Sequence, residues 1–114
     1  MPFRITITEG AEQHFLALPA RDQRVLQAAI TSRLLHQPTT LTRAIKRLRP
    51  NSLAEYELRA GDLRVLYDVE AEEVIVSVVG RKVGNKLIVA GEEFRGHQDS
   101  LSESSGNESK GNAE

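Results

Sequence analysis

One stretch constrains this chain more than any other: residues 54–69, where apolar and polar side chains alternate on both sides of a glycine turn. Ala54, Tyr56 and Leu58 interleave with Glu55, Glu57 and Arg59. After Ala60-Gly61, Leu63, Val65, Tyr67 and Val69 interleave with Arg64, Leu66 and Asp68. A period of two sends successive side chains to opposite faces of a sheet. Two such runs joined at a glycine make an antiparallel hairpin. Taking Ala60-Gly61 as a two-residue loop pairs Arg59 with Asp62, Leu58 with Leu63 and Glu57 with Arg64. Tyr56, Leu58, Leu63, Val65 and Tyr67 then point inward together. Glu55, Glu57, Arg64, Leu66 and Asp68 point outward together. A one-residue slip would bury the charges, so the pattern specifies the faces.

The inward face needs a cover, and the preceding residues supply it. Phe3, Ile5 and Ile7 alternate with Arg4 and Thr6, which marks a first strand. Thr8 can cap a short helix starting near Glu9, with Phe15, Leu16 and Leu18 on its apolar side. Pro19 breaks that helix and can start the next. From about Arg21 to His36, Leu26, Ile30 and Leu34 recur every four residues, widened by Val25, Ala29 and Leu35, until Pro38 ends the run. The short gap makes the two helices a hairpin. Residues 39–53 have little apolar periodicity and read as a connection. Val74 to Val79 is nearly all apolar, as suits a central strand covered on both faces, and Gly80 ends it. Leu87–Ala90 offers a last short strand, and Gly91-Glu92-Glu93 closes the domain. The expected order is β-α-α-β-β-β. This is an α+β fold: a mainly antiparallel sheet of three to five strands with an N-terminal helical hairpin on one face.

The 114 residues have room for a single domain. With no cysteine, disulfides, thiol catalysis and cysteine-ligated metals are excluded. No apolar run approaches the roughly 20 residues that span a bilayer, and the opening residues lack a signal-peptide core. The expected location is the cytoplasm, with no membrane partner. Residues 97–114 hold Asp99, Glu103, Glu108 and Glu114 against Lys110, a charge of −3, in a Ser-, Gly- and Asn-rich setting read as a disordered tail. Residues 1–96, the expected folded domain, therefore carry +2 of the chain's net −1.

That positive charge is clustered. Arg43, Lys46, Arg47 and Arg49 precede the hairpin; Arg81, Lys82 and Lys86 follow the central strand. Arg64 stands outward between them, opposite Glu57. Two readings of Arg64 stay open. One is a cross-strand ion pair of about 0.2–1 kcal/mol. The other is a guanidinium fork that grips a phosphate. Three cationic segments converging on a sheet face without helices would form a groove for a nucleic-acid backbone. His14, His36 and His97 have no metal-ligand spacing, Gly80, Gly84 and Gly91 make no phosphate loop, and no serine sits in a nucleophile elbow.

The segment Tyr56-Glu57-Leu58-Arg59-Ala60-Gly61-Asp62-Leu63-Arg64-Val65-Leu66-Tyr67 resembles the signature hairpin of the RelE/ParE toxin superfamily. Val79-Gly80-Arg81-Lys82, the early Phe-x-Ile strand, the Leu-Leu-x-x-Pro helix ending, and Asn85-Lys86-Leu87 with Gly91-Glu92-Glu93 extend the likeness over roughly residues 2–90. The resemblance implies the toxin half of a bacterial type II toxin–antitoxin pair. Such a toxin is neutralised by a cognate antitoxin and can enter higher-order complexes with it. The RelE branch cleaves mRNA in the ribosome; the alternative ParE branch poisons DNA gyrase. A degenerate toxin would only bind its antitoxin and help repress the operon. The resemblance places the phosphate-binding arginine at Arg64 and the basic residue after the following strand at Lys82, or at Arg81 with a small shift. The lysines of the best-known nucleases fall on Glu55 and Glu57, and their terminal tyrosine near Ile88, so the chain departs from the pattern there. Glu57 beside Arg64 then becomes a candidate base and electrophile. Arg43, Lys46, Arg47, Arg49 and Lys86 are the candidate RNA contacts. Neither metal nor cofactor is needed for cleavage through the RNA's own 2′-hydroxyl.

Overall fold

A computed structural model describes residues 2–94 of the chain. The expected tail, His97 and the domain limit at residue 96 lie outside the described residues. The elements are β1 (Arg4–Ile7), α1 (Glu9–Leu16), α2 (Ala20–Leu34), β2 (Ile45–Arg47), β3 (Tyr56–Ala60), β4 (Leu63–Glu70), β5 (Glu73–Val83), β6 (Lys86–Val89) and β7 (Glu92–Glu93). Among the described residues, no helix is long and apolar enough to cross a membrane.

The helices start where their caps dictate. Thr8 accepts the backbone N–H of Ala11 at 3.2 Å, and Glu9 and Glu12 sit in the first turn, where the helix dipole favours negative charge. Pro19 occupies the cap of α2, where its missing N–H costs nothing. The four-residue stripe of α2 is the buried one: Leu26 and Leu34 are fully covered and Ile30 nearly so.

The strands form one sheet in the order β2-β3-β4-β5-β6-β7. The long β5 has two partners on its far side. Its first half takes β1 in parallel, Arg4 to Ile7 beside Glu73 to Val76; its last residues take β6, antiparallel. Seven strands exceed the expected three to five. The additions are β2, inside the supposed connection, and β7, the supposed closing turn. Both are too short to show periodicity. In β2 only Ile45 is apolar, flanked by Lys46 and Arg47.

The hairpin register also differs. Ala60 pairs with Leu63, Leu58 with Val65 and Glu57 with Leu66, so the loop is Gly61-Asp62. Gly61 takes φ +64°, a conformation open to glycine and placed at the first loop position. Moving the loop by one residue moves every partner by two, so the faces stay as the alternation specified. Glu57 is no longer straight across from Arg64. Arg59 is, and Glu57 lies on the diagonal.

Two cores result. The larger lies between sheet and helices: Ala11, Leu26, Ile30 and Leu34 pack on Tyr56, Leu58, Leu63, Val65, Tyr67, Val74, Val76 and Val79. Tyr56 and Tyr67 stack with ring centroids 5.5 Å apart, and the Tyr67 hydroxyl donates to the Pro38 carbonyl at 2.6 Å. A smaller core sits on the opposite face, where Leu48, Ala54, Leu66, Val78 and Val89 are buried together with Leu53, Leu87 and Phe94 around them. The outward face is therefore not bare. Asn51 shapes the loop that covers part of it, accepting the N–H groups of Leu53 and Ala54 and donating to the Arg49 and Ala54 carbonyls.

A bulge lets β5 serve both cores. Leu66 pairs with Val78 but Tyr67 with Val76, leaving Ser77 as the extra residue. Beyond β1, the next inner-edge amide, that of Val79, is received by Nδ1 of His14 at 3.3 Å. Burial lowers the pKa of this imidazole below 6.5, in keeping with a neutral acceptor.

Candidate nucleic-acid interface on the helix-free face

Register decides which cations share a face. Arg64 lies on the side of Leu66 and Val78, away from the helices. Glu57 and Arg59 on β3 share that side, as do Lys46, opposite Glu57, and Lys82, two residues beyond Gly80. Glu57 thus shares its face with four cations: Arg59 on its own strand, Lys46 opposite, Arg64 on the diagonal and Lys82 farther off on β5.

The centre of the group is tightly built. Glu57 is 4% exposed, the one charged residue among the buried side chains described. One of its oxygens receives Nε of Arg59 at 3.2 Å; the other stands 4.0 Å from Nε of Arg64. The Arg64 guanidinium curls over the turn, and its Nη1 donates to the carbonyls of Gly61 at 2.8 Å and Leu63 at 2.9 Å. Its Nε is buried without a hydrogen-bond partner. Leaving a donor unsatisfied normally costs about 1–3 kcal/mol. An anion fixed by the fold but too far to bond, next to a donor without an acceptor, marks a place where a second anion would be welcome.

Gly80 makes this arrangement possible. It faces Arg64 across β4 and β5, and a Cβ there would meet the Ile88 carbonyl oxygen at 2.5 Å and Val89 Cγ2 at 2.9 Å. Without a side chain at Gly80, β6 can cross close over β5 and bring Val89 and Leu87 into the outer core, beside the cations.

The other sequence candidates lie elsewhere. Arg81 points to the helix side, opposite Leu63. Its Nη1 holds both oxygens of Asp62, at 2.9 and 2.8 Å, and Nη2 contacts Asp22 at the start of α2. The Arg81 hydrogen bond keeps the Asp62 carboxyl below its ordinary pKa, and Asp62 in turn raises that of Arg81. Together with the Lys82 amide, which donates to the Asp62 carbonyl, this ties the hairpin turn to β5 and so fixes the carbonyls that hold Arg64. Lys86 lies on the helix-side parity, 4.0 Å from Glu93. Arg47 lies opposite Tyr56, with its guanidinium carbon 5.7 Å from the ring centre and its Nη2 3.8 Å from Glu55. Arg43 and Arg49 are exposed in the segments flanking β2. Sequence reasoning passed over Arg59, although its parity with Glu57 was visible in the alternation.

No protein-family model matches the chain, and neither does any curated protein. Solved structures do. The architecture defined so far is a helical hairpin laid on a twisted, mainly antiparallel sheet with a cationic cluster on the uncovered side. One chain of the toxin–antitoxin complex RelBE2 from Mycobacterium tuberculosis superimposes with a TM-score of 0.62 at 23% identity, covering 72% of this chain and all of that one. One chain of the archaeal RelE–RelB complex from Pyrococcus horikoshii OT3 does so with a TM-score of 0.58 at 20% identity, covering 71% of this chain and 96% of that one. The chain has a RelE-like fold.

Proposed function

We propose that this chain is the toxin half of a type II toxin–antitoxin pair, and that it arrests translation in the cytoplasm by cutting mRNA in the ribosome. The observation that carries this reading is Arg64, tethered by the turn carbonyls on the helix-free face with Lys46, Arg59 and Lys82 around it. Charge of that density suits a phosphodiester backbone. Lys82, on the same face, is the better placed second cation; Arg81 acts through Asp62.

Cleavage would use the RNA's own 2′-hydroxyl. That oxygen attacks phosphorus, its proton passes to Glu57, and the 5′-oxygen leaves with a proton from Lys82 or from water. The products are a 2′,3′-cyclic phosphate and a free 5′-hydroxyl. Arg64 and Arg59 would carry the charge that builds on the phosphorane.

The partner reading has its own support. Beside β1, a groove of about 880 Å³ between strand and helices is lined by Ile5, Ile7, Phe15, Ala28, Ile30 and Leu35, with Arg24, Gln27, Thr31 and Ser32 among them. Ile7, in its lining, is exposed. Apolar surface of this extent fits a protein partner, here a cognate antitoxin.

Inducible expression of the chain alone, followed by mapping of RNA ends, tests the proposal. Growth arrest with new 5′-hydroxyl ends inside translated messages is expected. Arrest with intact transcripts would overturn the nuclease step. A second reading, poisoning of DNA gyrase, draws on Glu55 and Glu57 at the nuclease lysine positions and Ile88 at that of the tyrosine. It requires gyrase–DNA cleavage complexes during arrest. Absence of any arrest would leave only the role of antitoxin partner and co-repressor.

A further inference from the structure

The cationic face is built around a buried carboxylate, Glu57. A neutral side chain could occupy the same place on β3 between β2 and β4, yet the position holds a carboxylate, 4% exposed. It bonds one guanidinium at 3.2 Å and stands 4.0 Å from the buried, unbonded Nε of the other. A phosphate seated between the two arginines would meet the Arg59 guanidinium and also reach the Arg64 Nε that Glu57 leaves unbonded. From this geometry we infer that Glu57 is a built-in stand-in for the phosphate: it occupies the guanidiniums at rest and is displaced by the backbone phosphate of incoming RNA.

The inference rests on the RNA-binding reading above and adds its regulation. Two consequences follow from charge alone. First, Glu57 lowers the affinity for any polyanion, because each phosphate must compete with an anion held at high local concentration. Second, displacement frees the carboxylate from its cations at the moment a 2′-hydroxyl proton needs an acceptor. A free carboxylate is the stronger base, so the proton acceptor is unmasked only when substrate is seated. The protein stays poorly reactive toward stray anions. Only a ligand that offers several phosphates in a row, or is positioned by a larger assembly, repays the exchange.

The test is binding of a fluorescent, single-stranded RNA to the full chain across a salt series, for wild type, Glu57→Gln, Glu57→Asp and Arg64→Gln, each first checked for a cooperative thermal transition. Glu57→Gln should bind about tenfold tighter at low salt, the effect of one unit charge acting over about 6 Å between protein and water. Its log-affinity should fall more steeply with log salt, by about 0.7, because one more cation is free to displace counterions from the strand. Glu57→Asp keeps the charge but withdraws it from Arg64, and should fall between the two. It carries the test alone if the Gln variant does not fold. Wild type that binds RNA, with position-57 variants binding equally or more weakly, would overturn the stand-in while leaving the RNA-binding reading intact. Wild type that binds no better than Arg64→Gln would overturn both.

Discussion

The two faces of the β3–β4 hairpin are built from alternate residues of one short segment, and they differ in what holds them. On the helix side, Leu58, Val65 and Tyr67 are fully covered and belong to the large core. On the other side, Leu66 is equally buried, but it lies next to Glu57, Arg59 and Arg64 and under a small lid of loop and β6–β7 residues. The first face derives its energy from area removed from water. The second spends part of its apolar cover on fencing in a charge cluster. A fold that needed the outer face only for stability would have filled it with aliphatic residues, since buried ion groups seldom improve on them. The contrast sets a face packed with apolar side chains alone beside one that packs a smaller apolar core around a charge cluster.

The comparison can be broken most forcefully from inside. Leu58→Ala should cost about 2–5 kcal/mol of unfolding free energy, read from urea denaturation. Leu66→Ala, in the smaller outer core, should fall at the lower end of that range. Equal losses would erase the distinction. Gly80→Ala should cost about 1–3 kcal/mol, because its Cβ would meet the Ile88 carbonyl. The damage should concentrate in β6 and β7, and amide exchange should speed up there before it does in β3 or β4.

His14 sharpens the comparison through pH. Burial lowers its pKa below 6.5, and its Nδ1 accepts the Val79 amide. The unfolded chain therefore takes up a proton before the folded one does. The His14 contribution is whole above pH 6.5 and is lost as pH falls below that value. His14→Gln, which keeps an acceptor but cannot titrate, should flatten this part of the decline in melting temperature between about pH 7 and pH 5. The smallest expected effect lies at Ala71, held at φ +55° in the β4–β5 turn. Ala71→Gly relieves that strain and should gain up to about 1 kcal/mol, measured by thermal unfolding, with no change on either face.

Much of this was legible in the chain. The apolar periods of Phe3–Ile7, Leu26–Leu34 and Ala54–Val69 announced the strand, the helix and the hairpin, because each segment is long enough for its period to repeat. Three-residue β2 and two-residue β7 could not show one; pairing, not pattern, makes them strands. The hairpin loop was misplaced by one residue because parity is blind to a two-residue shift of partners. The positive φ that Gly61 supplies at the first loop position decides the register. Arg81 and Lys82 could not be told apart in sequence, since neighbours on a strand face opposite ways and only the partners of β5 show which way is which. Arg59 was within reach: it shares the parity of Glu57 and needed only to be counted.

The central claim is the proposal that the helix-free face acts through Arg64, a residue the fold can lose and still form. The most direct measurement expresses wild type and Arg64→Gln separately, without antitoxin, and follows growth alongside the thermal stability of each purified protein. Arg64 makes two hydrogen bonds to turn carbonyls and faces a carboxylate that Arg59 also holds. The variant should therefore still unfold cooperatively, at a cost of about 1.5–3 kcal/mol for the lost hydrogen bonds of a charged group, while growth arrest disappears. A variant that folds cooperatively and arrests growth as fully as wild type would contradict the claim.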